Sequence, residues 1–217
     1  MKTALSADAA AALIPDGAVC LIGGFMGVGS PHRLIDAMVK RGVKGLTIVA
    51  NDPAMPGKGI GKLITAGAVR KLVASYIGLN PEAQAKMISG EIEVELCPQG
   101  TLVERIRAGG VGLGGVLTAT GLGTLVEKGK QRIEVDGKPY LLEKPIRGDF
   151  ALIACKQADY YGNLDYSLTA HNFNPTMALA GEVVIAEPHD IVPVGVIPPD
   201  LVKTPGVLVT HLLERAF

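Results

Sequence analysis

The 217 residues carry 21 basic and 21 acidic side chains, a balance that argues against the basic footprint of a nucleic-acid binder. Nearly half of them, 48%, are apolar, yet only 4% are aromatic and none is Trp, so the core must be built from small aliphatic side chains, as in a parallel sheet covered by helices. Cys20, Cys97 and Cys155 are odd in number and widely spaced, which argues against a disulfide framework and for a reducing compartment, and no CxxC or His/Cys pairing offers a metal site.

The first element in chain order is an alanine-rich stretch ahead of Pro15. Asp8 interrupts it and no long apolar region follows, so it reads as a surface helix rather than a signal peptide. No apolar run approaches the roughly twenty residues that a membrane span needs, and a cytoplasmic location is expected. Residues 18–22 form a short apolar run that reads as a buried parallel strand, followed by the glycine-rich stretch GGFMGVGSP at 23–31. Ser30 suits a helix N-cap and Pro31 a first helical position, with Leu34, Ile35, Met38 and Val39 on one face of the helix that follows. The glycines thus fall where a strand meets a helix N-terminus, a place suited to holding an anionic ligand against the backbone.

Leu46 to Ala50 reads as the next strand, ending at Asn51 and Asp52, with a short helix through Ile60, Leu63 and Ile64. Lys71 to Ile77 is a further strand, and Asn80-Pro81-Glu82 has the signature of a helix start, with Ala83, Met87 and Ile88 on one side of that helix. Ile92 to Cys97 alternates with acidic residues as a strand, breaks at Pro98-Gln99-Gly100, and gives way to a helix over Thr101 to Ala108. Repeated strand and helix units predict an α/β fold, an open and mostly parallel sheet with right-handed crossovers. Ligands bind at the carboxyl ends of such strands, so Gly23 to Gly29, Asn51-Asp52 and Pro98-Gln99-Gly100 are expected to converge.

The second half changes character. Residues 109–124 are too rich in glycine for a stable helix. Asp136-Gly137 between Arg132 to Val135 and Pro139 to Leu142 predicts a β-hairpin, expected to decorate the sheet edge. A strand over Phe150 to Cys155, a turn at Gly162-Asn163, a helix after Pro175 and a strand over Val183 to Ala186 complete what reads as a single domain over 1–217.

Gly110, Gly112 and Gly115 formally satisfy GxGxxG, but a helix precedes them and no helix follows, the reverse of a dinucleotide fingerprint. Gly61-Lys62 lacks the rest of a Walker A motif. No serine lies in a GxSxG elbow, and His32, His171, His189 and His211 form no recognisable pair with a cysteine or an acid. His32 reads as a solvated first-turn residue, with contact to a phosphate as the alternative. Gln99 is either a turn residue or an amide placed to donate to an oxyanion or carboxylate, and Asn51 is either a turn former or a group lining the ligand crevice.

Asp16 and Gly17, two free positions, the apolar Cys20-Leu21-Ile22, then Gly23-Gly24-Phe25, Gly29 and Pro31 resemble the first signature of the α subunits of class I CoA-transferases, particularly the acetate or butyrate–acetoacetate enzymes. Cys20 stands where the family has an aliphatic residue. The resemblance continues through LTIVANDPA, GIGKLI, PQGTLVERIRAGGVGLGG, FALIACKQAD, YGNLDY, NFNP and TPGVLV, so it spans essentially the whole chain. Asn51-Asp52 with Gly59-Ile60-Gly61, and the stretch Ala74 to Pro81, look more like the short-chain fatty-acid enzymes than the 3-oxoadipate- or succinate-using relatives, which more often have a second Asn at the position of Asp52.

The resemblance implies an open, mostly parallel sheet with helices on both faces, in the fold shared with sugar-phosphate isomerases and deaminases. It also implies that Gly23, Gly24, Phe25, Met26, Gly27, Val28 and Gly29 bind CoA, as substrate rather than covalent cofactor, and that Gln99 and Asn51 support the reaction. The nucleophile does not carry over: the family's catalytic glutamate lies in a Ser-Glu-Asn-Gly motif on the β subunit, and none of the eleven glutamates here has that context. The chain is therefore expected to be half of a heteromer, often α2β2, that transfers CoA to acetate or another short-chain carboxylate by a ping-pong route. The alternatives are a stand-alone sugar-phosphate isomerase or deaminase of the related fold, and a non-catalytic scaffold subunit.

Overall fold

A computed structural model describes residues 1–215, from the short strand β1 (Ala4–Leu5) and the helix α1 (Ala7–Ala12) onward. Ser6 caps α1 by accepting from Ala9 N, and Pro15 lies beyond its end. Strands β2 (Val19–Ile22), β3 (Leu46–Ala50), β4 (Val69–Ala74) and β5 (Glu93–Leu96) run parallel in sequence order. The crossovers between them are α2 (His32–Arg41), α3 (Gly61–Thr65) and α4 (Pro81–Ile88). After α5 (Gln99–Gly110) the chain leaves the sheet to form β6 (Val116–Thr118), β7 (Gln131–Val135) and β8 (Lys138–Glu143). It returns through β9 (Gly148–Asp159), β10 (Leu164–Asp165), α6 (Asn174–Ala180), β11 (Gly181–Val192) and β12 (His211–Leu213).

The order β1-β12-β11-β9-β2-β3-β4-β5, with β10 paired to β9, makes a nine-stranded sheet. Its order reverses between β2 and β9, the topological switch where open α/β sheets form ligand crevices. Both faces are covered. Cys20, Ile22, Ile48, Ala50 and Leu72 point into a core shared with α1 to α4, whereas Leu21, Val49 and Val73 point the other way, into a core with Leu102 and Ile106 of α5 and Met177 of α6. This period of two along strands that are buried on both faces is the reason they read as continuous apolar runs.

Several expectations change. The hairpin forms, and its turn has positive φ at both Asp136 (49°) and Gly137 (72°), as a two-residue I′ turn requires. It does not decorate the main sheet's edge, however: β7 and β8 join β6 in a separate three-stranded sheet. Asn80 caps α4 through Ala83 N as expected, but Met87 and Ile88 face solvent, and only Ala83 of the expected stripe is buried. Because β5 is an edge strand, it is half exposed and Leu96 is open to solvent. Strands β9 and β11, each 12 residues long, extend well past the apolar runs that announced them. Glycines 109 and 110 serve close packing: a Cβ on Gly109 would sit 2.0 Å from Ile146 O, and one on Gly110 would sit 2.5 Å from Leu179 Cβ.

Candidate active site

The glycine stretch follows β2 and folds as a tight hairpin. Phe25 N donates to Val28 O and Val28 N to Phe25 O, both at 2.9 Å, with Met26 (φ 52°) and Gly27 (φ 87°) as the two turn residues. The expected Ser30 cap does not form. Ser30 Oγ instead donates to Gly23 O at 2.9 Å, and α2 begins at His32. The cap comes from a distant element: Glu187 on β11 accepts from Arg33 N (3.2 Å) and Leu34 N (3.0 Å) with its two oxygens. The N-terminus of α2 is thus occupied by a carboxylate of this chain, which corrects the reading of that helix end as an open anion cradle. His32 opens α2 as an exposed first-turn residue, as expected, and its Nε2 donates to Gly27 O at 2.9 Å, so it also braces the loop.

Most of the loop's amides are spoken for. Gly23 N donates to Leu152 O, Gly24 N to Asn172 Oδ1, and Met26 N to the Asp52 carboxylate. Among the described residues only Gly27 N and Gly29 N, of the stretch 23–29, lack an acceptor. Asn172 and Asn174 clamp the loop from below: Asn172 Nδ2 donates to Val28 O and Asn174 Nδ2 to Gly29 O, each at 3.0 Å. A Cβ on Gly23 would lie 1.7 Å from Asn174 Oδ1, so the absence of a side chain there serves this close approach. Phe25, Met26 and Val28 remain exposed and present an apolar tip.

The three segments expected to converge do so at the carboxyl ends of β2, β3 and β5. Gln99 Nε2 donates to Asn51 Oδ1 at 2.6 Å. Ser75, just past β4, donates through Oγ to Asn51 O (2.7 Å) and Oδ1 (3.0 Å). Asn51 Nδ2 donates to Asp52 Oδ2 at 3.0 Å, and Asp52 also accepts from Met26 N (3.1 and 3.0 Å) and Ala54 N (2.8 Å). Asn51 and Asp52 are almost fully buried, at 2% and 6% exposure, whereas Gln99 is exposed. Above them is a cavity of about 260 Å³ lined by Phe25, Met26, Asn51, Asp52, Ser75, Tyr76, Leu79 and Gln99. Its floor is polar and its rim apolar.

Gln99 and Asn51 were legible as candidates; Asp52, Ser75, Asn172 and Asn174 were not assigned roles. Ser75 had a signal in the parallel register, since Ala50 lies opposite Ala74 and the residues just after them meet. Asn172 and Asn174 had only their place ahead of Pro175 and α6.

No glutamate lines the cavity, and no cluster of His, Cys, Asp and Glu suited to a metal occurs among the described residues. The cysteines are buried: Cys20 is pushed up to about 12 by burial, with Asp149 adding to it, and burial likewise raises Cys97 and Cys155 above the usual thiol value. None is a ready nucleophile. A larger cavity of about 470 Å³ lies across the stem of the loop, between Ser30, Arg33, Lys156 and Glu187. There Arg33 and Glu187 are committed to each other and to the start of α2, so the smaller cavity, where the amides converge, is the better candidate.

The description of the coenzyme A transferase family matches residues 4–215. The chain belongs to this family. It is 51% identical over 214 residues to the acetate CoA-transferase subunit alpha of Escherichia coli (strain K12), covering 98% of this chain and 97% of the relative. It is 52% identical over 200 residues to the acetoacetyl-CoA:acetate/butyrate CoA transferase alpha subunit of Clostridium acetobutylicum, with 92% of each covered. Among solved structures, an acyl-CoA transferase from E. coli O157:H7 in a thioester complex with CoA superposes with a TM-score of 0.88 at 24% identity, over 98% of this chain and 47% of the other. Glutaconate coenzyme A-transferase from Acidaminococcus fermentans gives 0.85 at 18% identity, over 98% and 75%. These two likenesses concern the fold, and the expectation of a CoA-transferase α/β fold is borne out. Among the described residues no helix is long and apolar enough to cross a membrane.

Proposed function

We propose that this chain is the α subunit of a cytoplasmic heteromeric CoA-transferase that moves CoA between a short-chain acyl-CoA or acetoacetyl-CoA and acetate or another short-chain carboxylate. The observation that carries the reading is a cavity floored by interlocked amides and lacking a free nucleophile: Gln99 sits over Asn51, and the carboxylate present, Asp52, is taken up by amide donors. The reactive glutamate then belongs to a β subunit, in an assembly proposed as α2β2.

In this reaction the partner's glutamate attacks the thioester carbonyl carbon and the C–S bond breaks, giving an acyl-glutamyl anhydride and CoA thiolate. The thiolate attacks the glutamyl carbonyl and releases the first carboxylate, leaving a glutamyl-CoA thioester. An acceptor carboxylate runs the same steps backwards. Splitting the exchange conserves the thioester's free energy and replaces one difficult step by easier ones. Gln99 Nε2 carries a second hydrogen beyond the one given to Asn51, and that hydrogen is the donor available to a developing oxyanion or a bound carboxylate. The loop 23–29 packs its exposed apolar tip, Phe25, Met26 and Val28, along the ligand's arm.

The test is transfer from acetoacetyl-CoA to acetate by the purified chain, alone and co-expressed with its β subunit. Activity is expected only in the complex, and robust turnover by the lone chain would overturn the half-enzyme reading. Turnover of a phosphosugar by the lone chain would instead favour the isomerase class. In the complex, Gln99→Ala should lower kcat by about a hundredfold, the scale of a lost oxyanion donor. An unchanged rate with intact assembly would overturn the active-site role of Gln99.

A further inference from the structure

Asp52 is the buried end of a directed chain of hydrogen bonds. Each of its three partners donates to it: the backbone amides of Met26 and Ala54, and Asn51 Nδ2. No cation pairs with it among the described residues. A carboxylate flanked by donors accepts only, so the amide group that Asn51 turns toward it must be the NH2. Asn51 Oδ1 then faces the other way, where it accepts from Ser75 Oγ at 3.0 Å and Gln99 Nε2 at 2.6 Å. An amide oxygen also accepts only, so Gln99 in turn must present its NH2 to Asn51. Reversing either amide would set two oxygens, or two NH2 groups, against each other at hydrogen-bond distance, a costly arrangement at the buried Asn51.

We propose that Asp52 is a positioning residue that fixes the sense of this chain, and through Asn51 decides which atoms of Gln99 face the cavity. The proposal rests on the reading of Gln99 as the donor to the reacting ligand. It also divides the labour within the cluster. Asn51 has its oxygen filled twice and its nitrogen bound to Asp52, so it relays orientation, and Gln99 makes the contact. Asp52 serves the loop as well, and the two tasks share one carboxylate: Ala54 N meets Oδ1, Asn51 Nδ2 meets Oδ2, and Met26 N lies between the two oxygens at 3.1 and 3.0 Å.

Asp52→Asn tests the chain at its buried end. With the amide oxygen in the place of Oδ1, Ala54 N and the 3.1 Å contact of Met26 N are kept, while an NH2 in the place of Oδ2 gives up the 3.0 Å contact of Met26 N, forces Asn51 to reverse, and with it Gln99. In the assembled enzyme, kcat and KM for transfer from acetoacetyl-CoA to acetate are measured for the wild type, D52N, Q99A and the double variant. D52N is expected to lower kcat about tenfold with KM for the CoA donor little changed, and to have less than about a twofold effect in the Q99A background, because a residue acting through Gln99 has nothing to act on once it is gone. An unchanged kcat in D52N, the same loss in both backgrounds, or a rise in KM alone would overturn the proposal, the last two pointing to loop anchoring. If Q99A itself leaves the rate intact, the reading of Gln99 falls first, and that outcome is distinct from a failed cycle. Asn51→Ala cuts the same chain without touching the loop's anchor. It should reproduce both the kcat loss and its disappearance beside Q99A, and it decides the question should D52N fail to assemble.

Discussion

At the level of single residues, glycines that are equal in sequence do unequal work. Gly24 has φ 131°, and a Cβ there would lie 2.0 Å from Ser30 Oγ, which is itself hydrogen-bonded to Gly23 O. Gly24→Ala meets both backbone strain and overpacking, and should destabilise the chain by about 3 kcal/mol in a denaturant titration. Gly100, beside Gln99 in the first turn of α5, is the opposite case: it has no positive φ and a Cβ there meets nothing. Gly100→Ala should stabilise by about 0.5 kcal/mol, chiefly by restricting the unfolded chain. A Gly24→Ala variant as stable as the wild type would mean that the loop is not held as tightly as its contacts with Ser30 and Asn172 require.

Among the elements, helix α2 shows how a terminus is completed from far away in sequence. Glu187 satisfies two of its first amides from β11 while its own side chain is about a tenth exposed. Glu187→Ala leaves both donors without an acceptor in a part-buried place and should cost about 2 kcal/mol, with Glu187→Gln falling between, since one amide oxygen still accepts. Equal stability of all three proteins would show that water caps the helix instead. The same contact explains the limits of the sequence. Strands β2 and β3 were legible because both their faces are buried and nearly all their residues are apolar, and β4 through its buried second half, Leu72 to Ala74, behind the more open Arg70 and Lys71. Ser30-Pro31 looked like a cap because local chemistry allowed it, and nothing local reveals a carboxylate 154 residues on. The convergence of Gln99, Asn51 and the glycine loop was legible for a topological reason, as parallel strands bring their carboxyl ends together. The Asn172 and Asn174 clamp was not, because it enters from the far half of the chain.

For the molecule as a whole, we propose that the two core layers unfold as one domain, because each strand between them has alternate residues in both. Cys20 lies in the layer under α1 to α4, while Cys97 and Cys155 lie in the layer under α5 and α6, so the thiols report on the two sides separately. With all three buried, a thiol reagent at about pH 8 should react slowly with the native chain, and the three should become reactive together through the denaturant transition. Early release of Cys97 and Cys155 alone would divide the layers and sink the single-domain reading. The same groups set a pH dependence. Burial raises Cys20 from 9.0 to about 12 and also raises Cys155, so in the native state both keep their protons where the unfolded chain has begun to lose them. Stability is therefore fully present below about pH 9, where both states hold the protons, and falls as the pH climbs from there toward about 12, because the unfolded state then binds fewer of them. Cys20→Val should flatten part of that alkaline slope while leaving the fold near neutral pH intact, since the site already belongs to an aliphatic core. Denaturant midpoints near pH 8 and pH 10.5 for the two proteins measure the difference, and parallel slopes would show that the buried Cys20 thiol does not govern the alkaline limb.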